Sequence, residues 1–324
     1  MKALFFLLIG VGSLALNFTS GLAADGGGYA GAFLRMGLGA RAKGMGGAFT
    51  AVAEGSAAGY YNPAGLPRSE YKELTLSYRA LTLDRNFNYI GLSLPLRPPS
   101  KTGARPLNAG VHLGWIHAGV DNIDGRDVNG THYGMFSYAE NAFTFGFAIQ
   151  PLKFISVGFT AKVLYNRFPK MTQDDQALTS KGLGVDLGVL VQPIEKLTIG
   201  VVAKDLRSKN TWNTENVWER GTTTYNEFPK ILRVGLAYRL LEDRLLLAVD
   251  FEDNKKQPEK FHLGAEFAPY PNFVLRAGFD VEEPTFGLGY LFPIWRLTSV
   301  LDYAYVIEDV APSGEHLLSW SIRL

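Results

Sequence analysis

The chain has no cysteine, no excess of charge of either sign and, past its first residues, no apolar run long enough for a membrane-spanning helix. Each absence excludes something. Without cysteine there is no disulfide framework, no thiolate metal site and no cysteine nucleophile. With 32 basic against 31 acidic residues the formal net charge is +1, so no positive field is available to hold a phosphate backbone, and a nucleic-acid partner is not expected. The five histidines, His112, His117, His132, His262 and His316, have no ligand spacing, and neither a metal site nor a cofactor is expected. No serine, histidine and orienting polar group stand out as a hydrolytic set, so no catalytic residue is assigned and the chain is not read as an enzyme.

What is present is an ordered composition, 47% hydrophobic and 19% charged, opened by an export signal. Lys2 precedes the apolar stretch from Ala3 to Leu16, then polar residues Asn17 to Ser20 and the small-residue sequence Gly21-Leu22-Ala23-Ala24. This pattern reads as a signal peptide over residues 1–23, cleaved after Ala23. The run is shorter than the roughly 20 apolar residues of a membrane anchor, and no cysteine follows for lipid attachment. The mature protein is therefore either soluble and exported or a membrane β-barrel.

From residue 71 the sequence breaks into fourteen segments with period-two alternation, over 71–80, 86–96, 107–118, 141–150, 153–166, 181–192, 196–204, 229–240, 243–252, 259–267, 272–280, 284–292, 296–306 and 315–324. That period belongs to strands with unlike faces. One face is large and apolar, as in Leu183, Val185, Leu187, Val189 and Val191, or Phe273, Leu275, Ala277 and Phe279. The other holds glycine and small residues together with the charges, as in Gly184, Asp186 and Gly188. A soluble sandwich has no need for a polar face that is also small, whereas a narrow, filled lumen does. The connections largely alternate between long (119–140, 167–180, 205–228) and short (151–152, 193–195, 241–242), as in barrels with short periplasmic turns and longer outer loops. The expected fold is all-β, an antiparallel transmembrane β-barrel of about 14 strands over residues 71–324, in contact with outer-membrane lipid of a Gram-negative cell. A barrel of that size is too wide for its own side chains to fill. The stretch 24–70, rich in glycine and alanine and without sustained alternation, is expected to be a plug inside it.

The lumen-facing charges expected from the alternation are Arg79, Lys162, Asp186, Arg233, Asp250, Glu266, Arg276, Asp302 and Arg323. Their mixed signs fit ion pairs between plug and wall better than a path that grips a carboxylate. The tripeptide Asn62-Pro63-Ala64 reads as a fixed bend, because proline biases the residue before it away from helix. The long loop 205–228 carries Trp212, Trp218 and Tyr225, as a docking surface or lid, or as a solvated loop with incidental aromatics.

The run from Gly39 to Ala53, with Gly44-Met45-Gly46-Gly47-Ala48-Phe49-Thr50-Ala51 at its centre, leads to Asn62-Pro63-Ala64-Gly65-Leu66. Together they resemble the N-terminal signature of FadL-like outer-membrane proteins and are most similar to its PorV/PorQ branch, as are residues 235–240 and 301–305. The resemblance implies a fourteen-stranded barrel with an N-terminal hatch whose motif residues here are Arg41, Gly44, Gly46, Gly47, Asn62, Pro63 and Ala64. For function it implies inward transport of a hydrophobic small molecule. The alternative from the PorV-like branch is a docking and shuttling partner for exported proteins in type IX secretion, and a further one is a structural outer-membrane protein.

Overall fold

A computed structural model of the chain describes residues 28–98, 107–169, 176–215, 217–307 and 314–324. The expected signal peptide and most of the connection 97–106 lie outside the described residues. Strands follow one another as β1 (Glu73–Ala80), β2 (Arg85–Leu96), β3 (Asn108–Arg126), β4 (His132–Leu152), β5 (Ile155–Phe168), β6 (Leu178–Ile194), β7 (Leu197–Asn213), β8 (Thr223–Glu227), β9 (Ile231–Leu240), β10 (Leu245–Asp253), β11 (Lys260–Tyr270), β12 (Phe273–Asp280), β13 (Glu283–Ile294), β14 (Leu297–Val306) and β15 (Glu315–Arg323). Each neighbour pairs antiparallel, and β1 pairs with β15 from Glu73↔Arg323 to Ala80↔His316. The ring therefore closes. β8 pairs only with the far end of β7, from Lys209↔Glu227 to Asn213↔Thr223, and β9 takes up the ladder below it from Lys204↔Ile231. Set β8 aside and fourteen strands make the wall, with no free edge in the ring.

The alternation has a physical cause on each side. On β6, Leu183, Val185, Leu187 and Val189 are exposed while Gly184, Asp186, Gly188 and Leu190 between them are buried. The same split runs through β9, where Leu232, Val234, Leu236 and Tyr238 point out. A continuous apolar belt of this kind is costly in water and stable in hydrocarbon.

Strand length varies around the ring, from 8 residues in β1 to 21 in β4. Two connections expected as long loops are largely strand. The stretch 119–140 extends β3 and β4 into a hairpin turning at 127–131, and 205–213 continues β7. These extensions carry Asp121, Asn122 and Asp124 on one arm and His132 and Glu140 on the other. With Tyr133 and Met135 on one face of β4, Phe136 and Tyr138 on the other, and polar residues among them, the two faces no longer differ and the period-two signal is lost there. Trp212 accordingly sits half-buried on β7, not in a loop, whereas Trp218 is exposed in the connection beyond it.

Residues 28–70 pack against the buried face of the strands. They form 3-10 turns at Ala32–Arg35, Gly55–Ala57 and Pro63–Arg68, and short helices α1 (Ala40–Gly44) and α2 (Ala58–Tyr61). The apolar core is the seam between this segment and the wall, where Leu38, Met45, Phe49 and Leu66 meet inward residues such as Phe87, Tyr89, Ile116 and Leu164. The segment spans the ring lengthwise. Tyr29 donates to the Lys256 carbonyl in the β10–β11 connection at one end, while at the other Arg97, just past β2, donates to the carbonyls of Pro67 and Ser69.

Candidate functional site

The contact between segment and wall is built first from small residues. Asn62 is extended, with φ of −158°, as a residue before proline should be. Its side chain accepts from the Ala64 N–H at 3.1 Å and donates to the Thr50 carbonyl at 3.0 Å and the Val189 carbonyl of β6 at 3.2 Å. It thus caps the turn that Pro63 and Ala64 begin and pins that turn to the wall. Opposite it Gly188 has no Cβ, and one placed there would lie 2.1 Å from Asn62 Oδ1. Around the ring the approach is as close. Gly44 lies against Gly287, and a Cβ on Gly278 would come 2.4 Å from the Gly46 nitrogen. Gly46 and Gly47 have φ of +61° and +75°, values that favour glycine.

Charged groups then tie the two parts together. Arg41 holds Glu266 through two bonds, of 2.9 and 3.0 Å, and Glu54 at 2.5 Å. Arg276 continues the chain to Glu266 and Asp302, each at 2.7 Å, so the signs alternate along five groups. Burial alone would lower the Arg41 guanidinium, but Glu266 and Glu54 outweigh it and hold it well above its ordinary value. For Glu54, burial would raise the carboxyl, and Arg41 overrides it to hold it below the usual range. A second cluster joins Lys43 and His262 to Asp280, and Arg233 to Glu252, with Asp250 accepting from the N–H groups of Phe49 and Thr50. Lys162 lies between Asp186 at 2.7 Å and Asp205 at 2.5 Å. Arg79 pairs with Glu315 and donates to the Met36 carbonyl, and Arg323 pairs with Glu73 at 3.1 Å.

With Asp250 also 3.8 Å from Arg233, all nine charges expected to face the lumen take part in ion pairs. Glu54, Glu73, Lys43, Asp205, Glu252, His262, Asp280 and Glu315 complete them and were not among the expected site residues. Glu252, His262 and Asp280 share the inward parity of Asp250 and could have been found by it. Asp205 could not, because two bulges flank it: steps of two on β6, Val185 to Leu187 and Leu183 to Val185, meet steps of three on β7.

At the end of the longer connections the segment leaves a small recess, about 30 Å³ in volume and partly open to solvent. Tyr60 and Tyr61 form its floor. Their hydroxyls donate to the carbonyls of Leu34 and Leu38, and burial pushes both phenols above their ordinary value. Leu34 and Ile231 add apolar wall, and the Lys204 ammonium sits 3.9 Å above the centre of the Tyr60 ring, a favourable cation–π placement. Arg35, Lys43, Arg233 and Lys260 line the same recess with Glu252 and Asp280. Among the described residues no group of three or more acidic or histidine side chains could hold a metal ion.

Three solved structures share this architecture. The P. putida toluene transporter TodX matches with a TM-score of 0.62 at 14% identity, over 89% of this chain and 99% of that one. The monoaromatic hydrocarbon channel CymD matches at 0.56 and 16% identity, over 89% and 96%. A P. aeruginosa FadL homologue matches at 0.55 and 11%, over 88% and 97%. Likeness at such identities establishes the fold, a closed FadL-type antiparallel barrel, and none of these comparisons shows the finer resemblance to the PorV/PorQ branch. No curated protein matches. A protein-family model does match, over residues 20–252, which take in the glycine-rich segment, its Asn-Pro bend and the wall as far as β10. Since that is well over half of the sequence, the chain belongs to the family described as F plasmid transfer operon, TraF, protein.

Proposed function

We propose that the chain is an outer-membrane barrel that takes up a hydrophobic small molecule, with residues 28–70 as its plug and the longer connections facing the outside. The recess floored by Tyr60 and Tyr61 carries this reading. It is open at the outer end, part apolar, and closed below by the plug itself. Its room, about 30 Å³, holds little more than a water, so a ligand enters and goes further only as the plug shifts, since wall and plug backbones touch at Gly44 and Gly46. The neighbours described as a toluene transporter and a monoaromatic hydrocarbon channel support small apolar cargo.

The recess also has a sign. Five cationic side chains line it against the two carboxylates of Glu252 and Asp280, so an apolar molecule ending in an acidic group is received in preference to its neutral analogue. The test is equilibrium binding of a fluorescent apolar acid and its neutral amide to the detergent-solubilised protein, followed by uptake into cells with and without it. Saturable binding of the acid, competed by unlabelled acid and matched by protein-dependent uptake, is expected. Uptake no faster than in cells lacking the protein would sink the reading.

A further inference from the structure

The outer wall carries a second charged feature that the lumen does not use. Arg167 on β5, Lys181 on β6 and Lys209 on β7 are all exposed on the outward face. Lys181 stands opposite Tyr165 on one side and Thr211 on the other, while Arg167 stands opposite Thr179 and Lys209 opposite Leu183. Each cation is therefore the diagonal neighbour of the next, about 7–8 Å away across the sheet. Arg207, at the β7 bulge, is exposed beside them. Among the described residues, no ion pair neutralises Arg167, Lys181 or Lys209, and Lys209 has only the Tyr225 ring, at 4.7 Å. Among the described residues of these strands, the outward carboxylate is Glu227, opposite Lys209 on β8.

This ladder is confined to one sector. At the same end of β10, β12, β13 and β14 the corresponding outward side chains are Phe251, Phe279, Phe286 and Tyr305. It also has a fixed height. On the same faces, below Tyr165 and Lys181, come Val163, Leu183 and Val185, all exposed and part of the apolar belt. A ligand covering both must be apolar below and carry negative charge immediately above, with anionic groups spaced to bridge cations 7–8 Å apart.

We propose that Arg167, Lys181 and Lys209 seat the phosphorylated headgroup of an outer-leaflet glycolipid, whose acyl chains lie against Val163, Leu183 and Val185. Phosphates there are held by charge-assisted hydrogen bonds at the edge of a low-dielectric layer. This rests on the outer-membrane placement alone and stands whether or not the lumen transports anything.

The test measures binding of bis-phosphorylated lipid A, and of the same lipid stripped of both phosphates, to the purified full-length barrel in detergent. The wild type is expected to prefer the phosphorylated form. The variant Arg167→Gln/Lys181→Gln/Lys209→Gln is expected to lose that preference, binding on the order of a hundredfold more weakly. A variant with Lys153→Gln, Lys196→Gln and Arg244→Gln at the opposite end controls for net charge and should bind as wild type does. Heat-modifiable migration on electrophoresis checks the fold, and if the triple variant fails that check, the single exposed change Lys181→Gln is read against Lys181→Arg. Equal binding by wild type and either outward variant, or an equal loss in the control, overturns the proposal.

Discussion

Replacing Gly188 with alanine puts a methyl group where Asn62 Oδ1 now lies, 2.1 Å from the new carbon, with Pro63 Cδ 2.9 Å away. Neither is the free end of a flexible chain, since Asn62 is fully buried and held by three hydrogen bonds. The side chain has to leave, and with it those bonds. At about 1 kcal/mol net for each, the loss is about 3 kcal/mol, which raises the population of displaced segment roughly a hundredfold. Because the native chain has no cysteine, a single Ser56→Cys at a buried position reports that population through its rate of labelling by a thiol reagent. Gly188→Ala should raise the rate about a hundredfold, and Asn62→Ala, which deletes the same bonds, by a similar factor. The double variant should lie within a few-fold of either single one, a coupling as large as the effect itself. Additive effects, near ten-thousandfold for the pair, or a rate indifferent to Gly188, would refute the contact between segment and wall.

Other expectations follow from the same geometry. Leu187→Arg, on the exposed outward face in the middle of β6, should cost about 2–4 kcal/mol in a folding titration into bilayers, against about 0–1 for Leu241→Arg in a short turn. Arg41→Met should leave the strand ladder intact, since Arg41 is on α1, yet raise Ser56→Cys labelling at least tenfold by unpairing Glu54 and part of Glu266. Glu54 is held below its ordinary value, so its pairing contributes fully above the unfolded pKa of about 4.3 and is lost as pH falls through the lower folded value. A dye on Val52→Cys should therefore report loosening only in acid, and Glu54→Gln should flatten that profile. Lys204→Met should weaken binding of the apolar acid about tenfold and leave the amide unchanged, because only the charge above Tyr60 is removed.

The wall was readable in the sequence because its two solvents differ. Lipid selects Leu183, Val185 and Leu187, and the narrow lumen selects Gly184, Asp186 and Gly188, so parity alone locates each strand. Where β3 and β4 rise as a hairpin, polar and apolar residues mix on both faces and that contrast is lost, which hid the extension from Gly119 to Glu140. Inward charges were legible by the company they keep on the glycine face. Their partners were not, because the ring joins residues distant in sequence: Arg41 and Glu266 are 225 positions apart. The bulges around Asp205 shift the phase by one residue each, and no rule of alternation survives a phase shift. The bend at Asn62 needed no tertiary knowledge, since Pro63 restricts it locally.

The lack of clearance between the wall glycines and residues 28–70 also bears on assembly. A lumen in which Gly278 and Gly188 leave no room for a single methyl group cannot be threaded once its ring is shut. Wrapping the strands round residues 28–70 avoids that passage, and the β1–β15 seam, which Arg323 and Glu73 clasp across 250 positions of sequence, is the joint at which such a ring would close.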